Sequence, residues 1–105
     1  MVKLIVYTPK DAEELILRTL ASAGVGSSGN YSCWSISMDV TERFQPNQAA
    51  QPHQGQAGEI SKLANRRLEF QVPESKYLQL IELVRSVHPY ETPAIEVVPL
   101  LYPKS

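Results

Sequence analysis

His88-Pro89-Tyr90-Glu91-Thr92-Pro93-Ala94-Ile95-Glu96-Val97-Val98-Pro99-Leu100 decides the fold of this chain. Pro89 disfavours helical backbone at the residue before it, so the amphipathic run that reaches His88 has to stop there. Pro93 closes the turn, and Ile95 to Leu100 is rich in β-branched residues, as a strand is. Pro99 has no N–H to give to a ladder, which puts that strand on a sheet edge or ends it there. One short segment therefore predicts a helix end, a rigid two-proline corner and an edge strand.

Working back from the corner, Tyr77, Leu80, Ile81, Val84 and Val87 make one apolar stripe of a helix that starts at Pro73-Glu74-Ser75. Before it, Leu68, Phe70 and Val72 alternate with Arg67, Glu69 and Gln71, and Asn65 to Val72 reads as a one-sided strand. The N-terminal half repeats this plan. Val2 to Tyr7 is apolar on both faces except at Lys3, as a central covered strand is. Thr8-Pro9-Lys10-Asp11 is a helix start with Thr8 as cap, and Ala12, Leu15, Ile16, Thr19, Leu20 and Ala23 form the stripe that Gly24 ends. Superposing Pro9 on Pro73 places Ile16 on Leu80 and Leu20 on Val84. Asn30 to Val40 alternates Trp34, Ile36, Met38 and Val40 against Cys33, Ser35, Ser37 and Asp39, a half-buried strand.

The element order is thus βαββαβ. Right-handed crossovers convert it into an α+β ferredoxin-like sandwich with an antiparallel sheet of order 4-1-3-2 and both helices on one face. The 105 residues make a single domain, residues 1-105. Thr41 to Ala57 breaks the pattern. It is rich in Gln and Asn, with Pro46 and Pro52, and a loop this long in a small domain is functional, disordered or an extended hairpin.

Composition bounds the function. An apolar content of 43% and a charged content of 20% are those of an ordinary globular chain. A net charge of -1 lacks the basic face that nucleic-acid binding needs. No apolar run approaches the roughly 20 residues that span a bilayer. The single Cys33 cannot form an internal disulfide and suits a reducing compartment, so the expected location is cytoplasmic.

Several residues carry chemistry. His88 and Glu91 form H-x-x-E on a broken corner rather than on one helix face. The plain reading of His88 is a helix-end residue whose imidazole satisfies the last carbonyls, and the alternatives are metal ligation or acid–base work. Cys33, His53 and His88 have donor types that suit copper or zinc, if they converge. Gly24-Val25-Gly26-Ser27-Ser28-Gly29 is glycine-rich, but it follows a helix and lacks the Lys-Ser/Thr ending of a phosphate loop. No nucleophile elbow is present.

Gly24-Val25-Gly26, Gly29-Asn30-Tyr31-Ser32-Cys33, Phe44-Gln45-Pro46, Pro52, Gly55, Gly58 and the HPYETPAIEVVPL run, in that order, resemble the insertion domain of the Nif-three-like, dinuclear-metal-centre hexamer family. The closing HPYE-x-P-x-I also resembles the end of the CutA-type divalent-ion tolerance proteins. The resemblance implies a CutA/PII-like trimer, with the Gln-rich excursion partly a second β-ribbon reaching a neighbouring subunit. It implies a non-enzymatic regulatory or ligand-binding module, with sites near Gly29, Asn30 and Tyr31 and near His88, Tyr90 and Glu91. The alternative it implies is divalent metal binding through His88, Cys33 or His53. This chain departs from the family's pattern in lacking one residue between Tyr31 and Cys33. It also carries Val40-Thr41-Glu42-Arg43 in place of a small-residue turn. The ligands of the dinuclear site lie in lobes flanking the insertion, so metal-dependent hydrolysis is not carried over.

Overall fold

The computed structural model describes residues 1–50 and 55–101. In chain order the elements are β1 (Val2–Thr8), α1 (Glu13–Ser22), β2 (Ile36–Phe44), β3 (Ser61–Val72), α2 (Tyr77–Val87) and β4 (Ile95–Pro99). The four strands form one antiparallel sheet in the order β2-β3-β1-β4, the topology expected from the sequence.

The register divides the side chains between two faces. Leu4, Val6, Leu68, Phe70, Val72 and Val97 share the face on which both helices pack, with Ile16 and Leu20 of α1 and Leu80 and Val84 of α2 closing the core. Positions equated by the proline superposition are thus both buried. The internal echo continues at the helix starts. Pro9 and Pro73 are both extended, with ψ of 154° and 138°, and each is followed by a single 3-10 turn before the α-helix begins. Thr8 does not cap, because its hydroxyl donates to the Pro9 carbonyl at 3.1 Å and the residue is wholly buried. Proline's fixed φ, rather than a side-chain cap, sets the entry into both helices.

Three boundaries move. β2 begins at Ile36, six residues later than expected, because Ser28 and Tyr31 exchange backbone hydrogen bonds and hold a tight turn. Cys33 then takes φ 62°, and Trp34 N–H returns to the Gly26 carbonyl at 3.1 Å. A Cβ on Gly26 would land on the Cys33 and Trp34 backbone, so glycine is required where the loop crosses itself. β2 and β3 also run further than expected, pairing as far as Phe44↔Ser61. Thr41 to Phe44 are strand, the extended-hairpin alternative for that stretch, and carry a ribbon past the end of β1, which stops at the Thr8↔Arg66 pair. The molecule is accordingly long, 51 × 26 × 24 Å.

The apolar side of β2 lies on the helix-free face, not over the core. Ile36 and Met38 are 38% and 37% exposed there, whereas Trp34, ahead of the strand and 47% exposed, borders a hollow on the helix side with Leu17 and Val25. The same face carries a charge chain. Glu69 takes Lys3 Nζ at 3.0 Å on one oxygen and Arg67 Nε at 2.9 Å on the other, and Arg67 Nη1 donates to the Tyr7 hydroxyl at 2.7 Å. The Lys3 hydrogen bond, seconded by Arg67, holds the Glu69 carboxyl below the usual range.

Three outcomes follow. Leu68→Ala, at a side chain with no exposure, should cost about 2–5 kcal/mol in denaturant unfolding. Leu78→Ala, on the open side of α2, should stay within about 0.5 kcal/mol of the parent. Because the folded pKa of Glu69 is depressed, its stabilisation is present above the ordinary Glu value of about 4.3 and is lost as pH falls through the folded value. Stability curves from pH 7 to pH 3 should be flatter for Glu69→Gln than for the parent.

Candidate functional site

The corner after α2 is built around a buried imidazole. His88 is 8% exposed, and its Nε2 lies 2.7 Å from the Tyr7 carbonyl at the end of β1. Its Nδ1 accepts the Tyr90 backbone N–H at 3.1 Å. An amide N–H can only donate, so Nδ1 carries a lone pair and the proton of the neutral ring sits on Nε2, donated to Tyr7. The sequence expectation that His88 satisfies the last carbonyls of its own helix is therefore corrected. The bonded carbonyl belongs to β1, because Pro89 turns the backbone at His88 to an extended ψ of 135° and swings the ring away from α2.

Tyr90 carries the link onward. Its ring packs against His88 at a centroid distance of 5.0 Å, and its hydroxyl accepts Asn65 Nδ2 at 2.9 Å. Asn65, on β3 and 2% exposed, also donates Nδ2 to Glu42 Oε1 of β2 at 2.8 Å. Burial pushes the Tyr90 phenol up, with the Glu42 and Asp11 charges adding to the shift and the Asn65 hydrogen bond opposing it. The phenol thus stays protonated at neutral pH. One polar path runs from β1 through the corner to β3 and β2.

Against that path lies a cleft of about 410 Å³, with Glu42, Phe44, Gln45 and Pro46 of the ribbon on one side and Tyr90, Glu91, Thr92 and Ala94 of the corner on the other. It combines two aromatic rings with two carboxylates. Glu42 meets only the neutral Asn65 amide and forms no ion pair among the described residues. The cleft has the size and mixed lining of a small-molecule site.

The predicted site residues fall into two groups. His88, Tyr90 and Glu91 sit together at the Thr8 end of β1. Gly29, Asn30, Tyr31 and Cys33 belong to the loop after α1, at the Val2 end, where Cys33 and Trp34 border a second cleft of about 220 Å³ with Val25 and Phe70. The ends of β1 are about 20 Å apart for seven residues in a strand, so one chain does not join the groups. His53 lies outside the described residues. Among the described residues no three of His, Cys, Asp and Glu converge as metal ligands, and both His88 nitrogens are engaged. Asn65, Glu42 and Phe44 were missed by sequence reasoning. A buried Asn on an otherwise charged strand face was the available signal, and its partners were visible only once β2 and β3 were in register.

No family model matches the chain. It is 36% identical over 98 residues to a Bacillus subtilis "GTP cyclohydrolase 1 type 2 homolog", covering 93% of this chain and 26% of that protein. The Mycobacterium tuberculosis protein of the same name is 31% identical over 101 residues, covering 96% and 27%. A Bacillus cereus protein related to NIF3 superposes with a TM-score of 0.80 at 30% identity, over 94% of this chain and 25% of that one. The chain is a relative of the NIF3-type proteins. It spans about a quarter of their length. The PII-like protein CutA from Nostoc superposes with a TM-score of 0.71 at 20% identity, over 95% and 81%, which shows a common CutA-like fold. No helix among the described residues is long and apolar enough to cross a membrane.

Asn65→Asp should place a second carboxylate beside Glu42 in a buried position. Burial and the like charge raise the folded pKa of the introduced acid, so the variant loses stability as pH rises above the ordinary Asp value of about 3.9 and recovers it on acidification. Asn65→Leu should lack that pH dependence, as read from thermal unfolding across pH 4 to 8.

Proposed function

We propose that this NIF3-related, CutA-like domain works as a non-enzymatic, homo-oligomeric ligand-binding or regulatory module, with the ribbon–corner cleft as its ligand site. The cleft itself carries this reading, because a preformed hollow of about 410 Å³ is walled by a fully hydrogen-bonded buried network. Catalysis finds little support in the same residues. The imidazole is held at both nitrogens, and the phenol beside it is kept protonated.

The lining favours a compact ligand with a flat apolar body and a positive charge. Phe44 and Tyr90 offer ring faces, and Glu42 and Glu91 offer negative charge. Assembly is supported by the exposed Ile36 and Met38 on the helix-free face, by the exposed Trp34 beside them in sequence, and by the open edges of β2 and β4. Those edges are different surfaces, so pairing between them is head to tail and closes as a ring, here read as a trimer. Such a ring would let a neighbour's glycine loop approach the corner that its own chain keeps it from.

Native mass spectrometry of protein purified without chelator tests this reading. A trimer that retains a small mass, lost in Phe44→Ala, is the expected result. A monomer at micromolar concentration would overturn the assembly. A trimer that takes up stoichiometric copper or zinc instead, and loses it in Cys33→Ser or His88→Ala, would replace ligand binding with the metal reading.

A further inference from the structure

We infer that His88 is a proton-operated latch on the cleft: adding a proton at Nδ1 releases Tyr90 and opens the corner wall. The latch follows from hydrogen-bond polarity. In the closed state Nδ1 accepts from Tyr90 N–H at 3.1 Å while Nε2–H donates to the Tyr7 carbonyl at 2.7 Å. An imidazolium has two N–H groups and no acceptor. Protonation therefore sets one donor against another inside a site that is 8% exposed, while the Tyr7 bond can persist. The repulsion falls on the Tyr90 backbone.

The surroundings give the opened state a place to go. On the corner itself stand the Tyr90 phenol and the Glu91 carboxylate. From β2 comes Glu42, reached through Asn65, and from the turn before α1 comes Asp11, whose charge already acts on Tyr90. On β1 the Tyr7 phenol is held by Arg67 of β3 and acted on by Glu96 of β4, and Arg67 is itself paired with Glu69. The charged pair nearest the outer surface of α2, Glu82 with Arg85, is closed on itself at 2.9 Å. Beside Asp11 and Asn65 stands Lys10, so the carboxylates Glu42 and Asp11 face one cation among the described residues, and an imidazolium released from Tyr90 meets a net acidic surrounding. Two states with different hydrogen bonds and opposite charge preference are what a pH switch requires.

The consequence is directional. Tyr90 forms part of the cleft wall and anchors Asn65, which in turn orients Glu42. Releasing Tyr90 moves one ring of the cleft wall and leaves Glu42 as the remaining partner of the Asn65 amide, so acidification should change the site before the core responds. This consequence rests on reading the cleft as a ligand site. The latch does not, and its test uses the ligand-free protein, so either idea can fail alone.

The chain has two histidines, and His53→Gln leaves His88 as the sole imidazole. Long-range proton–nitrogen NMR of that protein should show a pyridine-type Nδ1 and a pyrrole-type Nε2 at neutral pH. On acidification the Nδ1 signal should convert in step with shifts of the Tyr90 amide and the Asn65 side-chain amide, while amides of Leu4, Val6 and Leu68 stay in place. His88→Asn retains an acceptor near Nδ1 but cannot titrate, and there the Tyr90 and Asn65 signals should hold still over the same range. A proton on Nδ1 at neutral pH overturns the latch. So does an imidazole that titrates without moving Tyr90 and Asn65, or one that titrates only as the core amides collapse. Should His88→Asn not fold, the titration of the His53→Gln protein decides alone.

Discussion

The bond from the His88 imidazole to the Tyr7 carbonyl is the constraint on which the rest of the architecture turns. It ties the end of α2 to the end of β1, across 81 residues of chain. A strand end leaves a carbonyl that must be satisfied when it is buried, and here a side chain from the far half of the molecule does it. Once the ring is fixed, its other nitrogen holds Tyr90 N–H, and the corner can take only one course. β4 is then delivered antiparallel to β1, with Ile95↔Val6 as the innermost pair of that register.

The same bond supports the ribbon. Beyond β1 the β2–β3 hairpin continues as two strands with no third pairing them among the described residues, an arrangement that is marginal in water by itself. The corner stands beside its base, with Tyr90 reaching Asn65 and Pro46 buried between the two. A cleft arises at the junction of ribbon and corner, lined from both sides. The site is thus a consequence of an overhang that needed buttressing.

The helix-free sheet face solves a related problem differently. Glu69 is 7% exposed and Ile5 is 3% exposed although no helix covers them. Lys3, Arg67 and Tyr7 lay their long side chains over this part of the face, in the way amphipathic side chains cover apolar surface. Toward β2 that cover gives out, and Ile36 and Met38 are left partly in solvent. The boundary between the charged cover and the apolar strip runs along β3, next to the edge strand that has no neighbour.

The amino-acid sequence by itself determined the element order, the sheet order and the pairing of the two halves. Those features rest on local rules: proline positions, period-two and helical stripes, and the handedness of crossovers. It marked His88, Tyr90 and Glu91 as a corner with chemistry but named the wrong carbonyl for the imidazole, since a hydrogen bond to a distant strand leaves no local pattern. It also placed Trp34, Ile36 and Met38 on a half-buried strand. Alternation shows which residues share a face and not which face the helices take. Tertiary structure alone decided that Ile36 and Met38 face away from the helices, and it selected the extended hairpin from the readings open for Thr41 to Phe44. It alone brought Asn65 and Glu42 to Tyr90 and kept the glycine loop at the opposite end of β1. Each of these is set by strand register, and register is fixed by contacts across the sheet rather than by neighbours along the chain.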